Sequence, residues 1–307
     1  MRLQRDSAAT LACVVCGRLN RTMWQVPLPK ERTLTEPLML RLTECRGCGH
    51  VYQCPQQDKS YSTSYYDQSY GAAATDCAYW NPELKLQHAR ELIARLPPAS
   101  TGSQLLEVGA GMGAFASVAA GSGWTVVGTE MSQMAVNKAQ QLFGVSLHLG
   151  SVETLPLQDL FDVAVLWDVI EHCPRPDTVL AAVSRRLRPG GRVLVTTANY
   201  ESLDRLSSGR GWWCWEADHY HYFRPGGLER LARQAGLDHF VIDRVPRIRA
   251  QNASPRGAAA QRKQPFRHLN PAHLARAVRW HVHKAAARYR WPAYHDIGVM
   301  LCGMTKA

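Results

Sequence analysis

Three alternating glycines give the clearest chemical signal in the sequence. Residues 104–115 read QLLEVGAGMGAF, an apolar run that carries Glu107 near its end and then breaks at Gly109, Gly111 and Gly113. This pattern predicts a buried strand, a tight turn and the start of a helix, because glycine adopts positive φ angles and lets backbone approach a ligand. The helix N-terminus adds unpaired N–H groups and the positive end of a dipole. Such a turn indicates binding of the polar part of a nucleotide-like cofactor.

The glycine spacing alone leaves two kinds of cofactor in competition. A dinucleotide fold uses Gly-x-Gly-x-x-Gly, whereas this chain has Gly-x-Gly-x-Gly. Glu130 ends the next predicted strand, where an acidic side chain can hold ribose hydroxyls. A dinucleotide enzyme would carry an acidic residue there as well, so the turn and Glu130 do not decide between them.

Two Cys-x-x-Cys-Gly motifs form a second chemical signal near the start of the chain. Two thiolates two residues apart can bind one ion, and four of them complete a closed tetrahedral zinc site. We predict structural zinc, because four cysteines leave no open position for catalysis. Cys54 and His50 are alternative fourth ligands, and unpaired buried cysteines are the competing explanation. The predicted ligands are Cys13, Cys16, Cys45 and Cys48.

Length and composition predict one main domain with attachments. The chain has 307 residues, of which 46% are hydrophobic, and it contains no run approaching ~20 uncharged apolar residues that would span a membrane. The apolar run near the N-terminus is too short for a secretory signal. Nine cysteines without such a signal favour metal binding or free thiols over disulfides, so we expect a cytoplasmic protein.

The net charge of +11 comes from one segment. Residues 246–295 contain eleven Lys and Arg but no Asp or Glu, and the other 25 basic residues balance the 25 acidic ones. Within this segment, residues 247–292 predict a basic helical insertion with three interpretations. It is a solvated charged surface, a helix that binds an anionic membrane surface, or an RNA-contacting surface.

The pattern after residue 104 alternates strands with helices, which predicts an α/β fold. We expect a Rossmann-like, doubly wound, mostly parallel seven-stranded sheet whose ligand lies at the carboxyl ends of the strands. Its predicted strands are 104–108, 125–130, 145–149, 161–167, 192–197, 239–245 and, at the edge or next to it, 297–305. Its predicted helices are 82–96, 113–121, 132–143, 177–188 and 225–235. We predict four units: a zinc ribbon (1–58), an aromatic linker and helix that could form a lid (59–98), the main domain (99–246 with 293–307) and the basic insertion (247–292).

The remaining motifs resemble class I S-adenosylmethionine-dependent methyltransferases, in the small-molecule branch related to ubiquinone and sugar methyltransferases. The matching stretches are LEVGAGMG at 106–113, GTE at 128–130, FDV at 161–163, WDVIEH at 167–172, LRPGGRVLV at 187–195 and HYHYF at 219–223. The cysteine pairs resemble the zinc-ribbon extension of some sugar C-methyltransferases. The resemblance implies S-adenosylmethionine as cofactor and a small-molecule acceptor.

The resemblance also implies roles for particular positions. Residues 107–113 would face the methionine end of the cofactor, Glu130 its ribose, and Met131 its adenine. Relatives often place an Asp against the adenine amino group after the third strand, but this chain has Ser151 there. An alternative for Glu107 and Asp168 is that they only cap a neighbouring helix. The implied cofactor residues are Glu107, Gly109, Gly111, Gly113, Glu130, Met131, Ser151, Val152, Trp167 and Asp168.

Methyl transfer is an in-line displacement that needs alignment and, for a weak nucleophile, a base to remove a proton. The candidate bases are His172, His219 and His221, although each could instead be a packing or backbone-bonded residue. The aromatic loop at 212–223 is placed to form the acceptor pocket. The absence of Asn/Asp-Pro-Pro-Tyr after the fourth strand argues against methylation of a nucleobase amino group. An RNA methyltransferase and a non-catalytic binding protein are the alternative functions.

Overall fold

The computed structural model describes residues 12–19, 21–28, 38–54, 81–155, 160–244 and 298–307. Residues 55–58 of the predicted zinc ribbon, residues 59–80 of the predicted linker and the predicted insertion at 247–292 lie outside these ranges. The strands are β1 (Arg21–Leu28), β2 (Leu38–Cys45), β3 (Val51–Gln53), β4 (Gln104–Val108), β5 (Thr125–Glu130), β6 (His148–Leu149), β7 (Phe161–Trp167), β8 (Leu187–Ala198), β9 (His221–Tyr222), β10 (Leu237–Arg244) and β11 (Val299–Lys306).

Seven of these strands form the main sheet, in the order β10-β11-β8-β7-β4-β5-β6. Strand β11 runs antiparallel to both of its neighbours, while the pairs from β8 through β6 are all parallel. The predicted mostly parallel, Rossmann-like seven-stranded sheet is confirmed. Strand β11 lies next to the sheet edge, one of the two positions predicted for the last strand.

The helices flank this sheet and begin where the sequence supplies caps. Asn81 accepts hydrogen bonds from two N–H groups of the first helix, which has proline at its first position. Ser132 caps the third helix in the same way, and Gly144 ends it with a positive φ. The helices are α1 (Pro82–Ile93), α2 (Ala114–Gly121), α3 (Gln133–Phe143), α4 (Pro176–Arg185), α5 (Leu203–Ser208) and α6 (Pro225–Gln234).

The core lies on both faces of the main sheet, because its central strands are buried on both sides. Leu105 and Leu106 are adjacent in β4 and point to opposite faces, yet both are fully buried. One packs among α1, α2 and Trp124, and the other packs in a cluster that includes α4 and α6. This two-sided burial explains why β4 and β7 are nearly continuous apolar runs.

A second, antiparallel sheet has the order β1-β2-β3-β9. Its fourth strand comes from the aromatic loop of the main domain, where Val51 pairs with Tyr222 and Tyr52 with His221. The cysteine-bearing N-terminal strands and the loop that follows β8 therefore share one sheet.

Several element boundaries differ from the predicted ones; α1 ends at Ile93 instead of 96, and β10 begins at Leu237 instead of 239. Helix α4 ends at Arg185, and β8 begins at Leu187, although the prediction extended the helix to 188 and began the strand at 192. Leu187 pairs with Phe161 and Arg192 with Val163, so residues 188–191 interrupt the register of a single long strand. The third predicted strand at 145–149 shortens to β6. No helix in the described ranges is long and apolar enough to cross a membrane.

Candidate active site and cysteine cluster

The three glycines form a tight turn between β4 and α2. Gly109, Gly111 and Gly113 all have positive φ angles, between 54° and 78°. A Cβ on Gly109 would lie 2.6 Å from Cγ2 of Val169, and one on Gly113 would lie 2.9 Å from Cβ of Ala139. The turn therefore needs glycine for its conformation and for its close packing.

Glu130 holds this turn in place from the end of β5. Its Oε2 accepts a hydrogen bond from the Gly111 N–H at 2.8 Å, and its Oε1 accepts one from the Ser132 N–H at 2.9 Å. The acidic residue predicted to bind ribose thus also fixes the glycine backbone. A carboxylate so placed can receive further hydroxyl donors, because each of its oxygens accepts more than one hydrogen bond.

Glu107 is a buried acid with an unsatisfied oxygen. Its side chain is 3% exposed, and its Oε2 has no hydrogen-bond partner. Burial raises the pKa of Glu107 well above its usual range, and the nearby Glu130 carboxylate raises it further. Buried polar atoms are normally paired, so a bound donor group, such as an amine or hydroxyl of a cofactor, fits beside this oxygen.

The residues proposed for the adenine side differ in exposure. Met131 is 64% exposed at the end of β5, so its thioether side chain is available to cover an aromatic ring. Ser151 is partly exposed, whereas the Val152 side chain is buried in the core. The Gly150 N–H donates to the Glu130 carbonyl at 2.8 Å, which keeps this segment beside Glu130.

Trp167 and Asp168 lie where β7 ends. The Trp167 ring packs edge-on against Phe115 of α2, with ring centres 5.2 Å apart, and its buried Nε1 has no hydrogen-bond partner. Asp168 has a φ of 53°, which is unusual for a residue with a side chain. The Thr196 hydroxyl donates to its Oδ1 at 2.8 Å, so its carboxylate bonds to the neighbouring strand.

Four titratable residues meet just beyond β7. Nδ1 of His172 lies 3.2 Å from Oδ2 of Asp218 and 3.0 Å from the Asp218 carbonyl oxygen. The His219 ring lies edge-on to the His172 ring, with ring centres 4.6 Å apart. A carboxylate oxygen of Glu171 and one ring nitrogen each of His172 and His219 lie within 4.8 Å of one another. Of the three predicted bases, the structure brings His172 and His219 together.

The charges in this cluster are set by burial and pairing. Burial would lower the pKa of His172, but the Asp218 carboxylate raises it to about 9. Burial lowers the pKa of His219 to about 3, helped by repulsion from His172. Burial alone would raise the pKa of Asp218, but the positive charge of His172 holds it below its usual range. The raised pKa of His172 and the lowered pKa of Asp218 favour an ion pair near neutral pH, with His172 partly exposed and Asp218 buried, beside a neutral His219.

His221 lies in β9, away from this pair. Its Nδ1 contacts Nε2 of His50 at 3.0 Å, and its Nε2 contacts the Pro174 carbonyl at 3.3 Å. Around it, the aromatic loop is densely packed: Trp212, Trp215 and Tyr222 pack against one another and against Val26 and Leu42 of the N-terminal strands.

Two residues that the sequence analysis did not single out organise this region. Asp218 lies in the aromatic loop, but its spacing in the sequence did not distinguish it from an acidic residue exposed to solvent. Gln53 in β3 donates two side-chain hydrogen bonds to that loop, to the carbonyls of Ala217 and His219. For Asp218 the one signal in the sequence was its position beside a histidine in an aromatic loop. No signal pointed to Gln53.

The four predicted cysteines form one cluster. Their sulfurs all lie within 4.8 Å of one another, with Cys13 and Cys48 at 3.6 Å and Cys16 and Cys45 at 3.4 Å. Sulfurs bound to one zinc at ~2.3 Å in tetrahedral geometry lie about 3.8 Å apart, so this set fits zinc. The alternative ligands are engaged elsewhere, because Cys54 accepts a hydrogen bond from Arg21 and His50 contacts His221.

The model of a family described as a methyltransferase domain matches residues 83–240. A ubiquinone biosynthesis O-methyltransferase from Thiobacillus denitrificans (strain ATCC 25259 / T1) is 29% identical over 186 residues, which cover 52% of this chain and 78% of that relative.

Two solved structures share the fold. Phosphoethanolamine N-methyltransferase 2 of Haemonchus contortus, in complex with S-adenosyl-L-methionine, has a TM-score of 0.50 at 20% identity. That match covers 72% of this chain but only 52% of the nematode protein, so this chain spans about half of its length. A Haloferax volcanii methyltransferase, in complex with the activator Trm112, has a TM-score of 0.52 at 17% identity and covers 78% of this chain and 96% of its own.

Proposed function

Because the chain belongs to the S-adenosylmethionine-dependent methyltransferases, we propose that it transfers a methyl group to a hydroxyl oxygen of a small molecule. The observation that carries this proposal is the placement of the pair formed by the partly exposed His172 and the buried Asp218 next to the glycine turn. Val169 packs against Gly109, and His172 follows three residues later in the same segment. The relatives named as O-methyltransferases support oxygen as the acceptor atom.

In this proposal the cofactor lies on the glycine turn, and when bound it supplies an electrophilic methyl group. The buried Glu107 offers its unpaired oxygen to a donor at the methionine end. Glu130 binds the ribose hydroxyls while it holds the Gly111 N–H. Met131, Ser151 and the Val152 backbone lie on the adenine side. Trp167 and Asp168 border the transferred methyl group.

His172 would act as the base for the acceptor. Its Nδ1 is held by Asp218, which leaves Nε2 as the nitrogen that gains or loses a proton. In its neutral form His172 would take the proton of the acceptor hydroxyl at Nε2, while the bound cofactor would supply the methyl group. The neutral His219 packs against the same ring and would help to exclude water.

The cysteine cluster would hold one structural zinc ion. Its sulfurs are buried or partly buried and closed by tight turns, with Gly17 and Gly49 at positive φ. The glycine N–H groups donate to the carbonyls of Cys13 and Cys45 at 2.7 Å, which closes each turn. Such a site stabilises the N-terminal strands and takes no part in the chemistry.

Calorimetry with S-adenosylhomocysteine, the product that the cofactor becomes after methyl transfer, tests the cofactor site. We expect binding to the wild-type protein and an affinity at least about tenfold lower in Glu130→Ala, because two charge-assisted hydrogen bonds are lost. Glu229→Ala is the matched control, since Glu229 lies on α6 and forms an ion pair with Arg233 of the same helix. Absence of binding to the wild-type protein would overturn the proposal.

The acceptor class is tested with labelled S-adenosylmethionine. Transfer to sugars, phenols or other small hydroxyl compounds, with a product stable to base as an ether is, supports the proposal. Transfer to RNA, with binding that weakens steeply as salt rises, would instead support an RNA acceptor.

A further inference from the structure

We propose that Gln53, in the N-terminal sheet, is a positioning residue for the Asp218–His172 pair, so that the cysteine-bearing unit shapes the acceptor side of the active site. This inference rests on the proposed function in assigning His172 to the reaction. It adds a residue from outside the main domain to that site.

Gln53 makes three hydrogen bonds to one short stretch of the aromatic loop. Its Nε2 donates to the carbonyl oxygens of Ala217 and His219, both at 2.8 Å, and its backbone N–H donates to the carbonyl of Tyr220 at 2.8 Å. The two N–H groups of the carboxamide are thus both used. Gln53 itself is 1% exposed, so water does not compete for these bonds.

Asp218 lies between the two carbonyls that the Gln53 carboxamide holds. Both its Oδ2 and its carbonyl oxygen point to Nδ1 of His172, at 3.2 and 3.0 Å. The Tyr220 N–H donates to the Glu171 carbonyl at 2.8 Å, next to His172 in the chain. Residues 217–220 are therefore held by Gln53 on one side and bonded to residues 171–172 on the other.

The pairing of β3 with β9 continues this connection. Tyr52, directly before Gln53, pairs with His221, and Val51 pairs with Tyr222. The backbone of the loop is consequently in register with the N-terminal sheet at two residue pairs, and the bond from the Gln53 N–H to the Tyr220 carbonyl extends the contact by one residue. A small shift of β3 would move Asp218 relative to His172, and hydrogen bonds weaken steeply with distance and angle.

Gln53 can be tested through His172 because it carries no charge. The charged and titratable groups that face His172 are Asp218 and His219 from the loop and Glu171 from its own segment. None of them comes from β3. A replacement of Gln53 leaves all of these groups in place, so any change in the titration of His172 reports a change in their positions.

The experiment compares Gln53→Met, which keeps the length of the side chain but removes both donors, with Gln25→Met on the exposed side of β1. The protonation of His172 is followed by NMR of histidine-labelled protein, with the signal assigned by His172→Gln. We expect the wild-type midpoint near 9 to fall toward 6.5 in Gln53→Met and to stay unchanged in Gln25→Met. The affinity for S-adenosylhomocysteine should change less than about twofold in both variants.

A Gln53→Met protein that binds S-adenosylhomocysteine and keeps the wild-type titration of His172 overturns the inference. If that variant does not fold, Gln53→Asn, whose shorter amide cannot reach both carbonyls, is measured in the same way, and an unchanged midpoint overturns the inference as well. Failure of the proposed function is separate: the wild-type protein would then transfer no methyl group, while the NMR midpoint still reports the effect of Gln53.

Discussion

Three histidines within a few residues of the loop and β7 have very different proton affinities. Asp218 raises the pKa of His172 to about 9, whereas burial lowers that of His219 to about 3 and that of His221 to about 4. Near neutral pH only His172 among them carries a charge. The same residue type therefore has distinct properties because only one ring has a carboxylate at its Nδ1.

The raised pKa of His172 predicts how the rate of methyl transfer depends on pH. A base must be neutral, so kcat/KM should rise with pH and level off above about 9, where His172 loses its proton. Asp218→Asn should move this midpoint down toward 6.5, because the raising charge is lost, and should lower the plateau by about 10²-fold or more. The measurement is a pH–rate profile with saturating cofactor.

Asp238→Asn is the matched control for that profile, since Asp238 is exposed in β10. The same midpoint in Asp218→Asn and wild type would contradict the pairing.

The pH dependence of stability has the opposite sign to that of activity. The raised pKa of His172 stabilises the folded protein below about pH 6.5, and this contribution is lost as pH rises through about 9.

At the scale of elements, the turn between β4 and α2 is constrained by two neighbouring strands. Its glycine backbone is bonded to Glu130 of β5 and packed against Val169 after β7. Three consecutive strands of the sheet thus meet at this turn. That is where the carboxyl ends of parallel strands bring a ligand-binding crevice together.

Replacing Gly109 separates the effect of packing from that of backbone strain. Gly109→Ala puts a Cβ 2.6 Å from Val169 at a φ of 67°, whereas Gly102→Ala has a similar φ of 81° with nothing within 4 Å. Both should lose on the order of 1–2 kcal/mol from strain. Gly109→Ala should lose more stability and bind S-adenosylhomocysteine at least about tenfold more weakly. Thermal unfolding and calorimetry measure the two effects, and equal losses in both variants would refute the packing argument.

The sequence predicted the elements whose signals are local. β4, β5 and β7 lie at the predicted residues because each is a buried apolar run with turn residues at its end. The start of β8 was missed because Pro189 and the two glycines that follow it are typical of a turn. In the structure they lie within one long strand, where they interrupt its register with β7. β9 had no local signal at all: its two residues are a strand only because β3, about 170 positions earlier, pairs with them.

The candidate site divides in the same way. The glycine turn, Glu130 and the cysteine pairs follow from spacing along the chain. The structure bonds Glu130 to the turn and, separately, brings the four cysteines into one cluster. Asp218 and Gln53 act through contacts between distant segments, so only the folded chain reveals them. The cofactor and catalytic roles of these residues stay predictions until ligand binding is measured.

At the scale of the whole molecule, the two sheets are connected by strand pairing as well as by the chain between them. The aromatic loop belongs to the main domain by sequence and to the small sheet by hydrogen bonding. Arg224 at the start of α6 adds ion pairs to Glu44 of β2 and to Glu201. The predicted membrane or RNA contacts of residues 247–292 lie outside the described residues and stay predictions.

This joining predicts that metal loss destabilises the entire protein. The Cys13→Ser/Cys45→Ser double variant should lose its zinc and unfold at a lower temperature in a single transition, because β9 of the aromatic loop is itself a strand of the small sheet. Cys54→Ser should keep its zinc, since Cys54 lies outside the cluster. Elemental analysis and calorimetry provide the measurements. Unchanged zinc content would refute the cluster, and a separate early transition would refute the coupling.

The position of β11 has a consequence for how the protein is made. This strand comes late in the chain, after β10, yet it fills the place between β8 and β10. Among the described strands, β8 has no other neighbour on that side and β10 pairs with β11 alone, so both lack this partner until residues 299–306 leave the ribosome. Exposed strand edges attract other chains. Nascent chains stalled before residue 299 should therefore depend on chaperones more than those released after it.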